Sequence, residues 1–384
     1  MLLCLSVFVV AQNENDNEKK TKPQWLEAKG YIKSLQYLSF IDDIEELSSS
    51  NLLHNRLNFK FTISNTLSAR LEIRNRIFYG DQTKLMPNFG EIINQYNGLV
   101  NLSKLWVNKP SIVCHSVIDR LLLQYATNTW DIKLGRQRIN WGINNVWNPN
   151  DIFNAYNFLD FDYEERPGND ALRVQHYFKD NSSAELAYKP GKNTNEHIAA
   201  ILYKFNKKNY DFQTLMGIYN TDVVVGGGWA GNIKNAGFKG EISYFHPQKN
   251  ITDTIGTLSL SLMADQTFKN NWYLSIGGLY NSRPSNNLGG NMGIASTNLS
   301  AKSLFPFRYT FYAGISKSVS PIAAINFSTI YSPKNNTLIL FPSFSWNVAK
   351  NFDIDFTAQS FFAQSLHNYN TQGNTFFMRG KWSF

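Results

Sequence analysis

FFMRGKWSF, residues 376–384, ends the chain and alternates in character from one residue to the next. Successive side chains of an extended strand point to opposite faces, so the alternation divides this stretch into two faces. One face has Phe376, Met378, Trp382 and Phe384, and the other has Arg379 and Lys381. Both an edge strand of a soluble sheet and the wall of a barrel show this pattern, so the rest of the chain must decide between them.

The same period of two recurs along the whole chain. Leucines alternate with hydroxyl residues in TLSLSL, residues 257–262, and apolar residues alternate with Asp and Thr in FDIDFT, residues 352–357. A helical period is seen only for about one turn near residues 89–96. The alternation predicts about eighteen strands. They are expected near 30–40, 52–64, 67–80, 116–127, 129–142, 171–178, 182–190, 197–206, 210–221, 222–233, 235–247, 254–268, 271–282, 308–319, 322–333, 337–349, 352–364 and 374–384.

The connections between these strands alternate between short and long. Short turns such as Lys234-Asn235 and Lys350-Asn351 take every second place, and the long segments 81–115, 143–170 and 283–307 fall between them. Short turns at one end and long loops at the other are typical of outer-membrane barrels. The sequence therefore predicts an all-β protein, a transmembrane antiparallel β-barrel of about eighteen strands with short periplasmic turns and long extracellular loops.

The composition agrees with a barrel. The 384 residues are 43% hydrophobic, 15% aromatic and only 17% charged, yet they contain no apolar run of the length that a transmembrane helix needs. Lipid offers no hydrogen-bond partners, so a spanning sheet must close on itself. A barrel of this width is too wide to be filled by its own side chains and encloses an aqueous lumen.

The N-terminus, MLLCLSVFVVA, has the short apolar run and small residues of a signal peptide. We expect a signal peptide at 1–11, a periplasmic spacer at 12–29 and the barrel at 30–384. Cys4 would be removed with the signal peptide, which leaves Cys114 without an intrachain disulfide partner. Export without disulfides or a helical anchor points to the bacterial envelope, and together with the barrel pattern the expected location is the bacterial outer membrane.

The aromatic last residue, Phe384, resembles the terminal-strand signature by which outer-membrane barrels are recognised for assembly. The expected partners are therefore the barrel assembly machinery, outer-membrane lipid and a permeating solute.

The formal net charge of +8 is expected to face the lumen rather than the exterior. Alternation places many arginines opposite apolar residues, and a Lys or Arg facing lipid at mid-depth would cost about 2–4 kcal/mol. The predicted anion-binding residues of the lumen are Arg70, Arg74, Arg76, Arg120, Arg136, Arg138, Arg173 and Arg379.

Two of these arginines do not fit strict alternation. Arg136 and Arg138 share the face of Ile132 and Leu134, which would point them at lipid. A β-bulge at Gly135 would turn them inward, which is the interpretation that we favour. The alternative is a position above the membrane, at the aromatic girdle.

Three stretches near these arginines resemble the alginate-export-like family of outer-membrane porins. They are GRQRINWG at 135–142, WNPND at 147–151 and RPGNDALR at 166–173. The resemblance covers about forty residues and implies a wide single-chain barrel. It makes transport of an anionic polysaccharide through an arginine-rich lumen conceivable, although members of the family do not share one substrate.

The long segment between these stretches is predicted to fold into the pore mouth as a constriction loop. Its proposed members are Trp147, Asp151, Glu164, Glu165, Arg166 and Asp170. Acidic residues there would pair with lumen arginines, either to shape the pore or only to brace the loop against the wall. Asp160, Asp162 and Glu164 could bind Ca²⁺, but their spacing does not fit an EF-hand, so a solvated acidic loop is the favoured interpretation.

The function predicted from these features is a channel for passive diffusion or export of small or polymeric anionic solutes. Uptake of hydrophobic compounds and a receptor or adhesin role for the loops remain alternatives.

The scattered histidines do not suggest a catalytic site, so no enzyme, metal or other cofactor is predicted. Nucleic acid is not an expected partner, since the basic residues alternate with lipid-type side chains. The run Gly226-Gly227-Gly228 is interpreted as a strand bend or a site of close approach.

Overall fold

The computed structural model describes residues 25–95, 98–155, 166–193, 195–249, 254–284, 299–365 and 368–384. Within these ranges the chain forms nineteen strands and two short α-helices. The strands are β1 Leu26–Phe40, β2 Ser48–Thr62, β3 Leu67–Gly80, β4 Ser103–Lys109, β5 Ile112–Ala126, β6 Trp130–Gln137, β7 Asn169–Tyr177, β8 Ser183–Lys189, β9 Ile198–Lys207, β10 Tyr210–Tyr219, β11 Asp222–Ile233, β12 Ala236–Pro247, β13 Thr257–Thr267, β14 Trp272–Asn281, β15 Tyr309–Ser320, β16 Ala323–Ser332, β17 Thr337–Ala349, β18 Phe352–Ser365 and β19 Asn368–Ser383. The helices are α1 Asp81–Leu85 and α2 Phe89–Ile93, and single 3-10 turns lie at Ile44–Glu46 and Pro333–Asn335.

The strands form one closed antiparallel barrel. Apart from β4, each strand pairs with its neighbours in chain order, and β19 pairs with β1 from Phe40↔Asn374 to Tyr31↔Ser383. Strand β4 is an addition to this ring, because β3 pairs directly with β5. On its other side, β5 pairs with β4 over one half of its length and with β6 over the other half. The wall therefore has eighteen strands, which confirms the predicted fold class.

Each predicted strand corresponds to a strand of the wall, whereas β4 was not predicted. The first strand begins at Leu26, four residues before the expected barrel boundary. The prediction for β6 was too long, because the chain leaves the wall after Gln137 instead of continuing to residue 142. The proposed signal peptide, residues 1–11, lies outside the described residues and stays a prediction.

The connections sort to the two ends of the barrel as expected. The end with tight turns, here called the turn end, has connections such as 208–209, 234–235 and 350–351. At 208–209 both Lys208 and Asn209 have positive φ, as the two-residue hairpin turns with the favoured twist require. The opposite end, here called the loop end, has the long connections 81–111, 138–168 and 282–308.

The outer face of the wall is apolar, and the inner face carries the charges. Leu123, Leu134 and Ile201 on the outer face are 45%, 60% and 51% exposed, while polar residues on the inner face such as Arg56 and Glu241 are fully buried. This alternation is the one that a barrel with lipid outside and a polar interior requires. The helices in the described ranges are short, and none has the length and apolar character to span a bilayer.

Candidate functional site

Residues 138–155, here called the inserted loop, leave the wall at the end of β6 and pack inside the barrel. The apolar side chains of the loop are buried in clusters with inward-facing residues of β7–β14, β16 and β17 and with residues 301–307 of the connection 282–308, which accounts for the aromatic character of this stretch. Trp141 contacts Phe153 edge to face with ring centroids 4.9 Å apart, and Trp147 contacts Phe305 at 6.1 Å. The loop thus fills one side of the lumen with a small apolar core of its own.

Glu241 of β12 holds the backbone of the inserted loop. Its Oε1 accepts hydrogen bonds from the amides of Ile143 at 2.5 Å and Asn144 at 2.7 Å, and its Oε2 accepts one from the amide of Asn150 at 2.9 Å. The Glu241 side chain is fully buried. One carboxylate therefore satisfies three donors of a loop that has no regular secondary structure. The sequence analysis did not single out Glu241 for this role.

The glycine run of β11 gives the loop room to approach the wall. A Cβ at Gly226 would lie 2.8 Å from Asn150 Oδ1, and a Cβ at Gly228 would lie 2.8 Å from Ile143 Cδ1. Ser243 of the next strand donates to Asn150 Oδ1 at 2.7 Å. The interpretation of residues 226–228 as a site of close approach is confirmed: a side chain there would push the loop off the wall.

Asp151 joins the loop to the chain that returns to the wall. Arg166 Nη1 donates to Asp151 Oδ2 at 2.8 Å, and Arg166 in turn accepts a hydrogen bond at its carbonyl oxygen from Arg120 Nη2 at 2.6 Å. Burial raises the pKa of the Asp151 carboxyl to about 7, even though the guanidinium of Arg166 lowers it. Docking of the loop is therefore coupled to the protonation of Asp151 near neutral pH.

We expect the stability of the folded barrel to fall as pH rises through about 7. The ordinary pKa of Asp151 is 3.8, so between pH 4 and 7 the folded protein retains a proton that the unfolded chain releases. The resulting stabilisation is fully present below the ordinary pKa and is lost above the raised one. Asp151→Asn removes this titration and keeps the shape of the side chain. Unfolding midpoints at pH 5 and pH 8.5 should therefore differ less in the variant than in the wild type. An equal difference in both proteins would contradict the assignment.

A second group of charged residues, here called the arginine cluster, comes from β2, β3 and β5, and its Arg120 reaches the returning chain at Arg166. It consists of Arg56, Arg74, Arg76, Arg120, Glu72, Asp119 and His115. Arg56 donates to Asp119 Oδ2 and to Glu72 Oε2, both at 2.6 Å, while Arg74 Nε lies 3.2 Å from Asp119 Oδ2. Four guanidinium groups thus face two carboxylates, which leaves an excess of two positive charges in the cluster.

Arg56 was missed by the sequence analysis although it is at the centre of the cluster. Its side chain is fully buried between Glu72 and Asp119. The alternation pattern could have identified Arg56, because it lies on the polar face of the second strand with His54 and Lys60. In the structure it pairs in register with Arg74.

The structure places the other predicted lumen arginines in several environments. Arg76 lies 3.1 Å from His115 Nδ1, and Arg120 donates to the carbonyl of Asp119 at 2.8 Å. Arg70 is exposed on the same strand face as Arg74, and Arg138 is exposed at the start of the inserted loop.

Two further arginines are held by carboxylates of neighbouring strands. Arg173 binds both oxygens of Glu185, at 2.6 and 2.7 Å, and Arg379 binds Asp355 Oδ2 through two nitrogens at 2.9 and 2.7 Å. Trp141 Nε1 also donates to Glu185 at 2.7 Å, so the first of these pairs helps to hold the inserted loop.

Arg136 lies in the wall rather than among the cluster residues. Its guanidinium binds Asp170, the carbonyl of Ile118 at 3.0 Å and the carbonyl of Val100, in the seam between the end of β6 and the segment that leads into β4. The expected bulge at Gly135 is absent, since the register of β6 with both neighbours continues without a shift. Gly135 instead has a φ of +116°, a conformation that favours glycine. Strict alternation therefore assigns Arg136 to the correct face of β6, together with Leu134, and the seam explains why a charged residue on that face is buried rather than exposed to lipid.

The remaining predicted loop residues are only partly described. Glu164 and Glu165, with Asp160 and Asp162, lie outside the described residues, so their proposed part in a constriction stays a prediction. Trp147 is 3% exposed and packs in the apolar core of the loop. Asp170 pairs with Arg136 in the seam. In the described ranges, no three His, Cys, Asp or Glu side chains are grouped closely enough to hold a metal ion.

Comparison with known proteins identifies the fold. No model of a known protein family and no curated protein matches the sequence. The structure is similar to those of Acinetobacter baumannii OccAB4 (TM-score 0.61, 10% identity, covering 94% of this chain and 98% of that one) and Pseudomonas aeruginosa OccK11 (0.57, 8%, 94% and 96%). It is also similar to Pseudomonas aeruginosa OpdL (0.57, 8%, 94% and 99%).

At 8–10% identity these similarities show the fold alone: the chain shares a closed antiparallel β-barrel with these proteins over nearly its whole length. This agrees with the wide barrel that the resemblance to alginate-export-like porins implied. The narrower resemblance to that family is not supported by these comparisons.

Proposed function

We propose that the protein is a channel of the bacterial outer membrane through which small or polymeric anionic solutes diffuse or are exported passively. The observation that carries the proposal is the arginine cluster, in which four guanidinium groups face two carboxylates inside a closed barrel. An excess of fixed positive charge in a lumen with low-dielectric walls raises the local concentration of anions.

The ion pairs of the cluster support this proposal instead of cancelling it. Glu72 and Asp119 hold Arg56 and Arg74 at fixed positions, and guanidinium groups with fixed geometry bind carboxylate and phosphate well. The inserted loop packs against β7–β14, β16 and β17. Arg138 at the start of this loop and Arg166 of the returning chain add two more guanidinium groups, the second of them paired with Asp151.

The test is the reversal potential of the refolded protein in a planar bilayer under a KCl gradient. We expect chloride to be preferred, and we expect Arg138→Glu and Arg74→Glu each to shift the reversal potential towards cation selectivity. Lys179→Glu is the matched control, because it makes the same charge change in the exposed turn between β7 and β8, outside the lumen. It should leave the selectivity unchanged.

Unchanged selectivity in both lumen variants would contradict the role of the arginines. A closed or cation-selective wild-type barrel would contradict the proposal as a whole. It would favour uptake of a hydrophobic compound or a receptor role for the loops.

Assembly of the barrel is part of the same proposal. Phe384 forms two backbone hydrogen bonds with Gly30 of β1, at 2.8 and 2.9 Å, so the last residue completes the closing seam. We infer that the barrel assembly machinery recognises the strand that ends at Phe384.

A further inference from the structure

The outer face of the wall has a concave apolar site where β14–β19 and β1 meet. It encloses a volume of about 640 Å³. The site is built from two rows of outward-facing residues that follow the strand register. The row nearer the turn end runs from Trp272 and Lys317 through Phe344 and Phe356. This groove, here called the outer groove, goes beyond the proposed channel, which concerns the lumen.

The groove is concave because small side chains lie between large ones. In the second row, Pro342 and Ala358 occupy the centre, while Phe327 and Phe376 flank them at 44% and 49% exposure. Proline and alanine thus form the floor of the groove, and phenylalanine rings form its sides. A lipid-facing wall without such a change in side-chain size would be convex and uniform.

The wall is also interrupted at this floor. Strands β17 and β18 pair in the same register before and after this point, but Phe341 and Pro342 themselves are not paired with β18. Proline has no amide hydrogen to donate to the ladder. The ladder is therefore broken at the place where the floor of the groove lies.

A single cation lies at one end of the outer groove. The Lys317 ammonium is 4.9 Å from the centre of the Trp272 ring, on the outer face near the turn end. Among the described residues, Lys317 has no carboxylate within ion-pair distance. A lysine at the level of the membrane interface attracts anionic lipid headgroups.

From this geometry we propose that the outer groove binds one phospholipid. Its acyl chain lies over Pro342 and Ala358 between the phenylalanine rings, and its phosphate pairs with Lys317. The apolar floor disfavours a ligand that is polar over its whole length. Lys317 at the turn end determines at which end of the groove the lipid headgroup lies.

The test uses native mass spectrometry of the full-length protein in detergent with added dioleoyl phosphatidylglycerol. We expect the wild type to retain one lipid at low lipid concentration. Lys317→Gln should need about fivefold more lipid for the same occupancy, because it removes the cation and keeps most of the length. Ala358→Trp should abolish the retained lipid by filling the floor.

Two variants serve as matched controls. Lys104→Gln changes another outer-face lysine, which stacks on Trp106 at 5.2 Å in β4. Ala69→Trp adds the same volume to the outer face of β3. Both should retain the lipid like the wild type. Bilayer conductance of every variant shows that the barrel is folded and keeps this test separate from that of the channel, because neither groove change alters the lumen.

Three outcomes would overturn the proposal. The first is equal lipid retention by the wild type, Lys317→Gln and Ala358→Trp, and the second is no retained lipid in the wild type. The third is a dimer that replaces the lipid adduct and is lost in Ala358→Trp, which would assign the groove to a second copy of the chain.

Discussion

Replacement of Glu241 by alanine is expected to release the inserted loop from the barrel wall. The substitution removes the shared acceptor of the Ile143, Asn144 and Asn150 amides, which are bound at 2.5, 2.7 and 2.9 Å. A buried donor without a partner costs about 1–3 kcal/mol, so three donors destabilise the docked loop by at least about 3 kcal/mol. Hydrogen exchange of peptides that cover residues 139–155 should then accelerate about a hundredfold.

Two further variants of β12 test whether the effect is specific to the Glu241 carboxylate. Glu241→Gln keeps one good acceptor oxygen and should give an intermediate exchange rate. Lys239→Ala changes the next inward-facing residue, which lies 3.6 Å from Asp265 and does not contact the loop amides. It should exchange like the wild type. Wild-type protection of the loop in Glu241→Ala would show that the apolar contacts of the loop are sufficient to hold it.

The second large effect is expected at Arg56. Arg56→Met leaves Glu72 and Asp119 without the guanidinium that binds both of them at 2.6 Å. Removal of one partner from a buried ion pair costs about 3–5 kcal/mol, because the remaining charge stays buried. The free energy of unfolding, measured by denaturant titration in lipid or detergent, should fall by about this amount.

Arg70→Met is the matched control for Arg56→Met. Both arginines face inward on neighbouring strands, but Arg70 is exposed, so its replacement should change the unfolding free energy little. Adding Glu72→Gln to Arg56→Met should restore part of the lost stability, because the Glu72 carboxylate has lost its ion pair with Arg56, whereas Asp119 still pairs with Arg74 at 3.2 Å. Equal unfolding free energies of the Arg56 and Arg70 variants would contradict the central place of Arg56 in the cluster.

The wall strands could be predicted from the sequence because one physical constraint acts on all of them. Each has lipid on one face and a polar interior on the other, so each alternates with a period of two. Strand β4, SKLWVNK, escapes this rule because Leu105, Trp106 and Val107 are three consecutive apolar residues between polar ends. It also lies inside the long connection 81–111, where the regular succession of strands and turns does not apply.

The contacts of the site were harder to predict than the strands. Alternation says that Glu241 points inward, but the amides that it binds are 91–98 residues away in sequence. Such a contact depends on how the inserted loop folds, which period-two patterning does not encode. Arg136 shows the same limit, since its position depends on a seam formed by the unpredicted β4. The inward orientation of Arg56, in contrast, follows from alternation alone, although it was overlooked.

The pairing of β1 with β19 has a consequence for biosynthesis. The backbone bonds between Gly30 and Phe384 join residues at nearly opposite ends of the chain. Every other neighbouring pair in the wall joins strands that follow one another closely in the sequence, whereas this one joins strands with the whole barrel between them. Until it forms, the sheet has two unpaired edges, which are prone to association with other chains. The pairing of β19 with β1 therefore removes both edges in a single step of folding.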